Sequence, residues 1–421
     1  MKINKTIWRV LGPLAIAAVL VLGLLLLPFS FGTPSQSTMS KAATSLSDNV
    51  LKGQRIKNAA AKDNYVPFIG SSELLRMDSF HPSVLAQKYH RDYTPFLLGK
   101  AGTQSLTHFL SMNAMTNMTG KKAVVIISPQ WFVKQGVNKN MFDFFYSPAQ
   151  VAYFVEHAKN NTADRYAASR MLDFPSGSSD GTVEDALKNI ALGKPITGYQ
   201  RAYITDFKAN MLDHEDALFS QIAPGSNQAT IDKAAKALPA DYNFGTLDQL
   251  AIKIGKKETA GNPYEIKNSF YNQRVKSHIK RLKDSQENFD YRYSPEFSDF
   301  QLLLNTMAKK KMDVMFVIPP INARWADYTG LDMNMINDFT RKIEYQLRSQ
   351  GFEHILDLTQ DGAEPYFMED TIHIGWRGWL KMDQSVAPFL KDLKADPQHY
   401  KMNNHFYTKS WQNAKAPVKV D

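Results

Sequence analysis

Residues 65–74 read Tyr-Val-Pro-Phe-Ile-Gly-Ser-Ser-Glu-Leu: a short apolar run, a glycine, two serines, then the start of a helical pattern. A short continuous apolar run bounded by turn residues fits a strand covered on both faces. The same type of run recurs at Phe96–Leu98, Ala123–Ile127, Asp313–Ile318 and His354–Leu358. Helical patterns at Leu74–Tyr89, Leu106–Met115 and Met335–Gln350 lie between or beside them. Strand and helix alternation predicts an α/β fold with a doubly wound parallel sheet.

The interval 133–300 breaks that rhythm, being long, polar and aromatic-rich, with helical stretches at Pro148–His157, Tyr199–Phe219 and Phe270–Glu287. It reads as a mainly helical insertion or cap in a domain covering residues 65–421. Residues 32–64 are rich in Ser, Thr, Ala and Lys and read as a stalk with a helix near Leu46–Ala61. No internal repeat is evident.

Ahead of the stalk, Val10–Phe29 reads VLGPLAIAAVLVLGLLLLPF. About 20 such residues span a bilayer core as a helix, whereas cleaved signal peptides carry an apolar stretch of about 7–15. Residues 1–31 are therefore expected to be a cytoplasmic N-terminus followed by one uncleaved transmembrane helix. Lys2, Lys5 and Arg9 precede the apolar run, which places that end in the cytoplasm and the rest of the chain outside the membrane.

The 421 residues contain no cysteine, which excludes disulfides, a cysteine nucleophile and thiolate metal sites. A net charge of +9 suits an anionic polymer or a membrane surface, and equally a solvated basic exterior. His81, His90 and His108 lack metal-site spacing, and there is no Gly-x-x-x-x-Gly-Lys phosphate loop, so no metal, cofactor, nucleotide or nucleic-acid partner is expected.

Two residue groups carry the chemistry. Ser72 follows the first strand and a tight glycine turn, where open α/β sheets place ligands and where helix-terminal amides can stabilise an oxyanion. Helix capping is the ordinary role of a serine there. Near the other end, Asp370-Thr371-Ile372-His373 puts a carboxylate three residues before an imidazole, a spacing that can hold the ring in one tautomer. A surface ion pair or a cap explains most such pairs.

Together the two groups resemble the ends of the SGNH-hydrolase pattern. That resemblance implies Ser72 as nucleophile, His373 as base and Asp370 as the residue that orients the imidazole. Leu97-Leu98-Gly99-Lys100-Ala101-Gly102 resembles the family's glycine block, with Gly102 as an oxyanion donor. Ile127-Ser128-Pro129-Gln130-Trp131 stands where that family has Gly-x-Asn or Gly-Asn; Gln130 would donate in place of the asparagine. Ser71 replaces the aspartate that usually precedes the nucleophile.

The anchor, FIGSSEL, LLGKAG, ISPQWF, FVIPPINARW and DTIHIGWRGW resemble a narrower group, the DltD family of D-alanyl-lipoteichoic acid biosynthesis. The resemblance runs from the anchor to about Trp379. It implies D-alanylation of a polyglycerol-phosphate polymer by an acyltransferase or thioesterase. It also implies a membrane O-acyltransferase partner, with a D-alanyl carrier protein as a further candidate. Arg324 and Arg377 would bind phosphate, and Trp131, Trp325 and Trp376 would line the cleft, although core packing is the ordinary role of each aromatic. Two other readings remain: an O-acyl esterase or acetyltransferase on another wall glycan, and a non-catalytic partner that presents polymer or carrier to a membrane enzyme.

Overall fold

A computed structural model describes residues 5–26, 32–219 and 225–417. Five parallel strands form one sheet: β1 (Tyr65–Ile69), β2 (Thr94–Leu98), β3 (Lys122–Ile126), β4 (Asp313–Ile318) and β5 (Ile355–Asp357), in the order β2-β1-β3-β4-β5. The expected strands are therefore all present, β1 and β4 at the expected limits and the other three with ends shifted by one or two residues. The register pairs Phe68 with Leu97 on one side and with Val124 on the other. The chain steps one way from β1 to β2 and then back across β1 to β3 on its other side. That reversal opens a crevice at the C-terminal ends of β1 and β3, the usual ligand position in such sheets.

Alternation along the strands explains why they read as unbroken apolar runs. Ile69, Leu98, Val125 and Phe316 enter one core cluster with Leu106, Phe109, Phe300 and Phe339. Phe68, Leu97, Val124 and Val317 enter another with Val84, Leu85, Trp379 and Leu380. Both sheet faces are covered by helices, so neither set of side chains meets water. Each fully buried Val, Leu or Phe contributes about 1.5–3 kcal/mol through that burial.

The expected helix at Leu74–Tyr89 is interrupted. One 3-10 turn spans Ser72–Leu75, and the α-helix starts only at Pro82–Lys88. The Asp78 carboxylate accepts the Phe80 amide at 2.6 Å, which bends the chain. His81 Nδ1 accepts the Ser83 amide at 3.2 Å, and Pro82 occupies the first helical position. Side-chain turn and cap bonds override the apolar periodicity here.

Residues 36–60, expected as part of a stalk, form three short helices packed on the domain: Gln36–Ser45, Asp48–Lys52 and Arg55–Ala60. Met39, Ala42, Val50, Leu51 and Ile56 join the core cluster under the sheet. Their small and medium side chains present one apolar side without a long periodic run, which is why composition alone suggested a spacer. Lys57 is fully buried; it donates to the Leu51 carbonyl at 2.8 Å and the Ser111 hydroxyl at 2.6 Å. Burial pulls its pKa down to about 7, with Asp216 opposing that shift. An unfolded lysine titrates near 10.4, so the native state is penalised below about pH 7 and the penalty fades as pH rises to about 10. Accordingly, wild-type unfolding free energy should rise across that interval by a few kcal/mol, and Lys57→Met should flatten the rise in denaturant titrations.

Among the described residues, every element between β3 and the helix Glu296–Lys309 is helical, as expected for the insertion. Two stretches, Ala202–Lys208 and Tyr271–Val275, are π-helical. At the N-terminus a helix spans Lys5–Leu26, and residues 27–29 of the apolar run lie outside the described residues. Among the described residues, no helix is long and apolar enough to cross a membrane.

Candidate active site

The chain arrives at the crevice from β1. Gly70 and Ser71 turn it, and Ser72 opens the four-residue 3-10 helix. A full helix N-terminus, expected here from the sequence, is replaced by this short turn. One 3-10 turn supplies little macrodipole, so charge stabilisation here must rest on individual donors. The Ser71 amide donates to the buried Glu73 carboxylate at 2.6 Å, and the Ser71 hydroxyl reaches the Lys100 carbonyl at 3.4 Å. Burial pushes the Glu73 carboxyl up; His373 and the backbone amides of Glu73 and Ser71 work against that shift.

From the opposite end of the chain comes the loop after β5. It is pinched shut by an antiparallel bridge between Met368 and Ile374, and the Glu369 amide donates to the His373 carbonyl at 2.9 Å. Inside the loop, Asp370 Oδ1 accepts the amides of Ile372 and His373, both at 3.0 Å. His373 Nδ1 lies 2.9 and 2.8 Å from the two Asp370 oxygens, and His373 Nε2 lies 2.7 Å from Ser72 Oγ. A carboxylate only accepts, so Nδ1 carries the ring proton; Nε2 is then the acceptor for the Ser72 hydroxyl. The three residues stand in the order a proton relay needs.

Asp370 is nearly completely buried. Burial alone would raise its pKa, but His373, Arg76 and the Ile372 amide outweigh that and hold the carboxyl below the ordinary aspartate value. Arg76, which the sequence did not single out, ends the 3-10 turn that begins with Ser72. Its guanidinium lies 2.9 Å from Asp370 Oδ2 and 3.5 Å from His373 Nδ1. The same guanidinium sits over the Phe270 ring of the insertion, 5.7 Å from its centroid. Lys267 adds a second tie, since its amide donates to the Glu369 carbonyl at 2.8 Å and its ammonium meets the Glu369 carboxylate at 3.2 Å. No local sequence pattern marks Arg76, Lys267 or Phe270; they matter only because the fold brings them to the Asp370 loop.

Arg76 therefore positions Asp370. Arg76→Gln should lower the turnover supported by Ser72 by about tenfold to hundredfold, as loss of an outer hydrogen-bonded partner commonly does. Arg76→Lys should recover part of it. A separate readout is acid stability: a depressed carboxyl contributes stability above its unfolded pKa, near 3.9, and loses it as pH falls through the native value. Equilibrium unfolding at about pH 5 and about pH 2 should thus show a larger acid loss in wild type than in Arg76→Gln.

The neighbouring loops supply the other expected residues. A Cβ at Gly99 would come within 2.1 Å of the Gly70 carbonyl oxygen, so only glycine lets the β2 loop lie against the turn before Ser72. Gly102 has φ +92°, a left-handed conformation that favours glycine, and a Cβ there would meet Met141 at 2.3 Å. Gln130 lies in the 3-10 turn Pro129–Phe132 after β3, where the Ser128 hydroxyl donates to its Oε1 and leaves the amide nitrogen as the donor end.

The expected phosphate and cleft residues are placed differently. Arg324 pairs with Glu265 at 3.2 Å, and Arg377 pairs with Asp248 at 2.7 Å and Glu364 at 3.4 Å. Trp131, Trp325 and Trp376 are buried. Trp376 belongs to the core cluster with Trp379 and Leu380, and Trp325 packs with Tyr264 and Val275. A cavity of about 620 Å³ lined by His90, Arg91, Tyr93 and Tyr242 shares no residue with the relay and lies toward the N-terminal end of β2.

A five-stranded parallel sheet with helices on both faces, and with Ser72, His373 and Asp370 hydrogen-bonded in series at its C-terminal edge, makes this an α/β protein. The comparisons narrow it. Residues 43–391 match the family model described as DltD protein. Protein DltD of Lacticaseibacillus rhamnosus is 61% identical over 415 residues, covering 98% of each chain. Protein DltD of Bacillus subtilis (strain 168) is 32% identical over 394 residues, covering 92% of this chain and 98% of its own length. Protein DltD of Staphylococcus aureus is 32% identical over 391 residues, covering 92% and 96%. This chain belongs to the DltD family.

Proposed function

We propose that this protein acts in D-alanylation of lipoteichoic acid as a serine acyltransferase or thioesterase, with Ser72, His373 and Asp370 as its relay. Family membership supports the pathway, and the 2.7 Å contact between Ser72 Oγ and His373 Nε2, made across 301 positions of sequence, carries the chemistry. His373 Nε2 takes the hydroxyl proton as Ser72 Oγ attacks the carbonyl carbon of an activated D-alanyl group. The tetrahedral intermediate collapses, the leaving group departs with the proton from Nε2, and D-alanyl-Ser72 remains. A glycerol hydroxyl of the polymer then attacks with His373 again as base, giving the polymer ester and free Ser72. Water in the same role makes the protein a thioesterase.

In this reading the amides of Ser72 and Gly102 and the carboxamide of Gln130 hold the oxyanion. Loss of one such donor typically costs about 2.7–4 kcal/mol. Gln130→Ala should therefore lower turnover by about 10²–10³-fold with little change in thermal stability. An unchanged rate would remove Gln130 from the oxyanion site.

The run Val10–Phe29 is proposed as the single membrane anchor, with the N-terminus cytoplasmic and the sheet domain outside; its apolar length and the basic residues ahead of it support this. A membrane O-acyltransferase and, upstream, a D-alanyl carrier protein are the proposed partners. The reading is tested by supplying a D-alanyl thioester to the purified full chain, with and without polyglycerol phosphate. Release of D-alanine or its appearance on polymer, lost in His373→Ala, supports it. Equal conversion in His373→Ala would sink it and favour a polymer- or carrier-binding role.

A further inference from the structure

The cations that the sequence nominated for phosphate are occupied, but another set is not. Residues 274–283 read Arg-Val-Lys-Ser-His-Ile-Lys-Arg-Leu-Lys, with no acidic residue before Asp284. Arg274, Lys276, His278, Lys280, Arg281 and Lys283 are all exposed. Around them, Lys267, Arg292 and Arg324 are each tied to carboxylates, whereas among the described residues none of the five lysines and arginines of this run makes an ion pair.

The run is fixed in place by its apolar members. Val275 is buried, and Ile279 and Leu282 pack against the cluster of Tyr264, Ile266 and Trp325. The Tyr328 hydroxyl donates to the Ile279 carbonyl at 2.8 Å, and the Asp284 amide donates to the Tyr328 carbonyl at 3.2 Å. Its upstream end adjoins the relay, because Phe270 lies under Arg76 and Arg76 lies on Asp370. A held row of unpaired cations leading away from a catalytic serine suits a long polyanion better than one small ion.

We propose that Arg274–Lys283 is the docking track for a linear phosphodiester polymer, laying successive phosphates along the insertion so that a polymer hydroxyl reaches Ser72. This rests on the reading of Ser72 as the acyl carrier. An anionic bilayer surface is the less suitable occupant. A membrane-surface helix needs an outward apolar face, and Val275, Ile279 and Leu282 all turn toward the protein.

The test uses the full chain in detergent micelles, with alanine-free polyglycerol phosphate as probe. Lys276→Gln, Lys280→Gln, Arg281→Gln and Lys283→Gln are combined, and affinity is measured at several salt concentrations beside the thermal midpoint. Polyanion binding gains from counterion release roughly in proportion to the cations engaged. The variant should bind about tenfold or more weakly, with a flatter dependence on salt and an unchanged midpoint. Should the combined variant lose its fold, the Lys276/Lys280 and Arg281/Lys283 pairs are read separately, each expected to lose about threefold. Unchanged polymer affinity overturns the track, as does a loss confined to phosphatidylglycerol vesicles. Fluorophosphonate labelling of Ser72 in the wild type keeps the two readings apart: its failure removes the acyl carrier, while polymer affinity alone decides the track.

Discussion

Ser72→Ala should remove D-alanine esters from the wall polymer in cells that lack the native gene, at unchanged protein level in the membrane fraction. Alanine deletes the Oγ that lies 2.7 Å from His373 Nε2. Loss of a serine nucleophile from such a relay costs on the order of 10⁶-fold in turnover, far below what could sustain ester levels. The substitution is also structurally mild. Ser72 is half-buried and is the first residue inside the 3-10 turn, whose cap position belongs to Ser71; its hydroxyl is directed to His373 Nε2. That placement weighs against the capping alternative: the cap position is Ser71, and the Ser72 hydroxyl bonds the histidine.

Asp370→Asn should be the second large effect, a fall of about 10⁴-fold in turnover with the fold retained. The carboxylate keeps the Nδ1 proton in place, which leaves Nε2 free to accept from Ser72. An asparagine that offers its NH₂ to the ring favours the opposite tautomer, with the proton on Nε2 and no base facing the serine. Asparagine also weakens the Arg76 contact by removing the charge, so Arg76→Gln added to Asp370→Asn should lower turnover by much less than it does alone. Single-turnover rates with a D-alanyl thioester check both statements. Independent, additive losses would show that Arg76 does not act through Asp370.

The strands were legible because alternate residues feed two apolar cores, which makes each strand an unbroken apolar run. The relay was legible in part for a related reason. Asp370 and His373 are local to one turn, and Ser72 sits directly at a strand end, so each leaves a short pattern. Whatever depends on contacts between distant segments was not. Arg324 and Arg377 look like free cations until Glu265 and Asp248 are brought beside them. Trp376 follows His373 by three residues but points into the core, packed with Trp379. Arg76 has no sequence signature, because its role exists only where the β1 turn meets the β5 loop. The segment 36–60 looks like a spacer by composition because alanine and serine leave no long apolar run, although its short helices pack on the core.

The most direct test of the account is to quench the purified full chain during turnover of an isotopically labelled D-alanyl thioester and sequence the peptide containing residues 70–76 by mass spectrometry. One labelled alanyl group is expected on Ser72, absent in Ser72→Ala and slow to form in His373→Ala. Turnover without any label on Ser72, or label that persists elsewhere on the chain in Ser72→Ala, would contradict it.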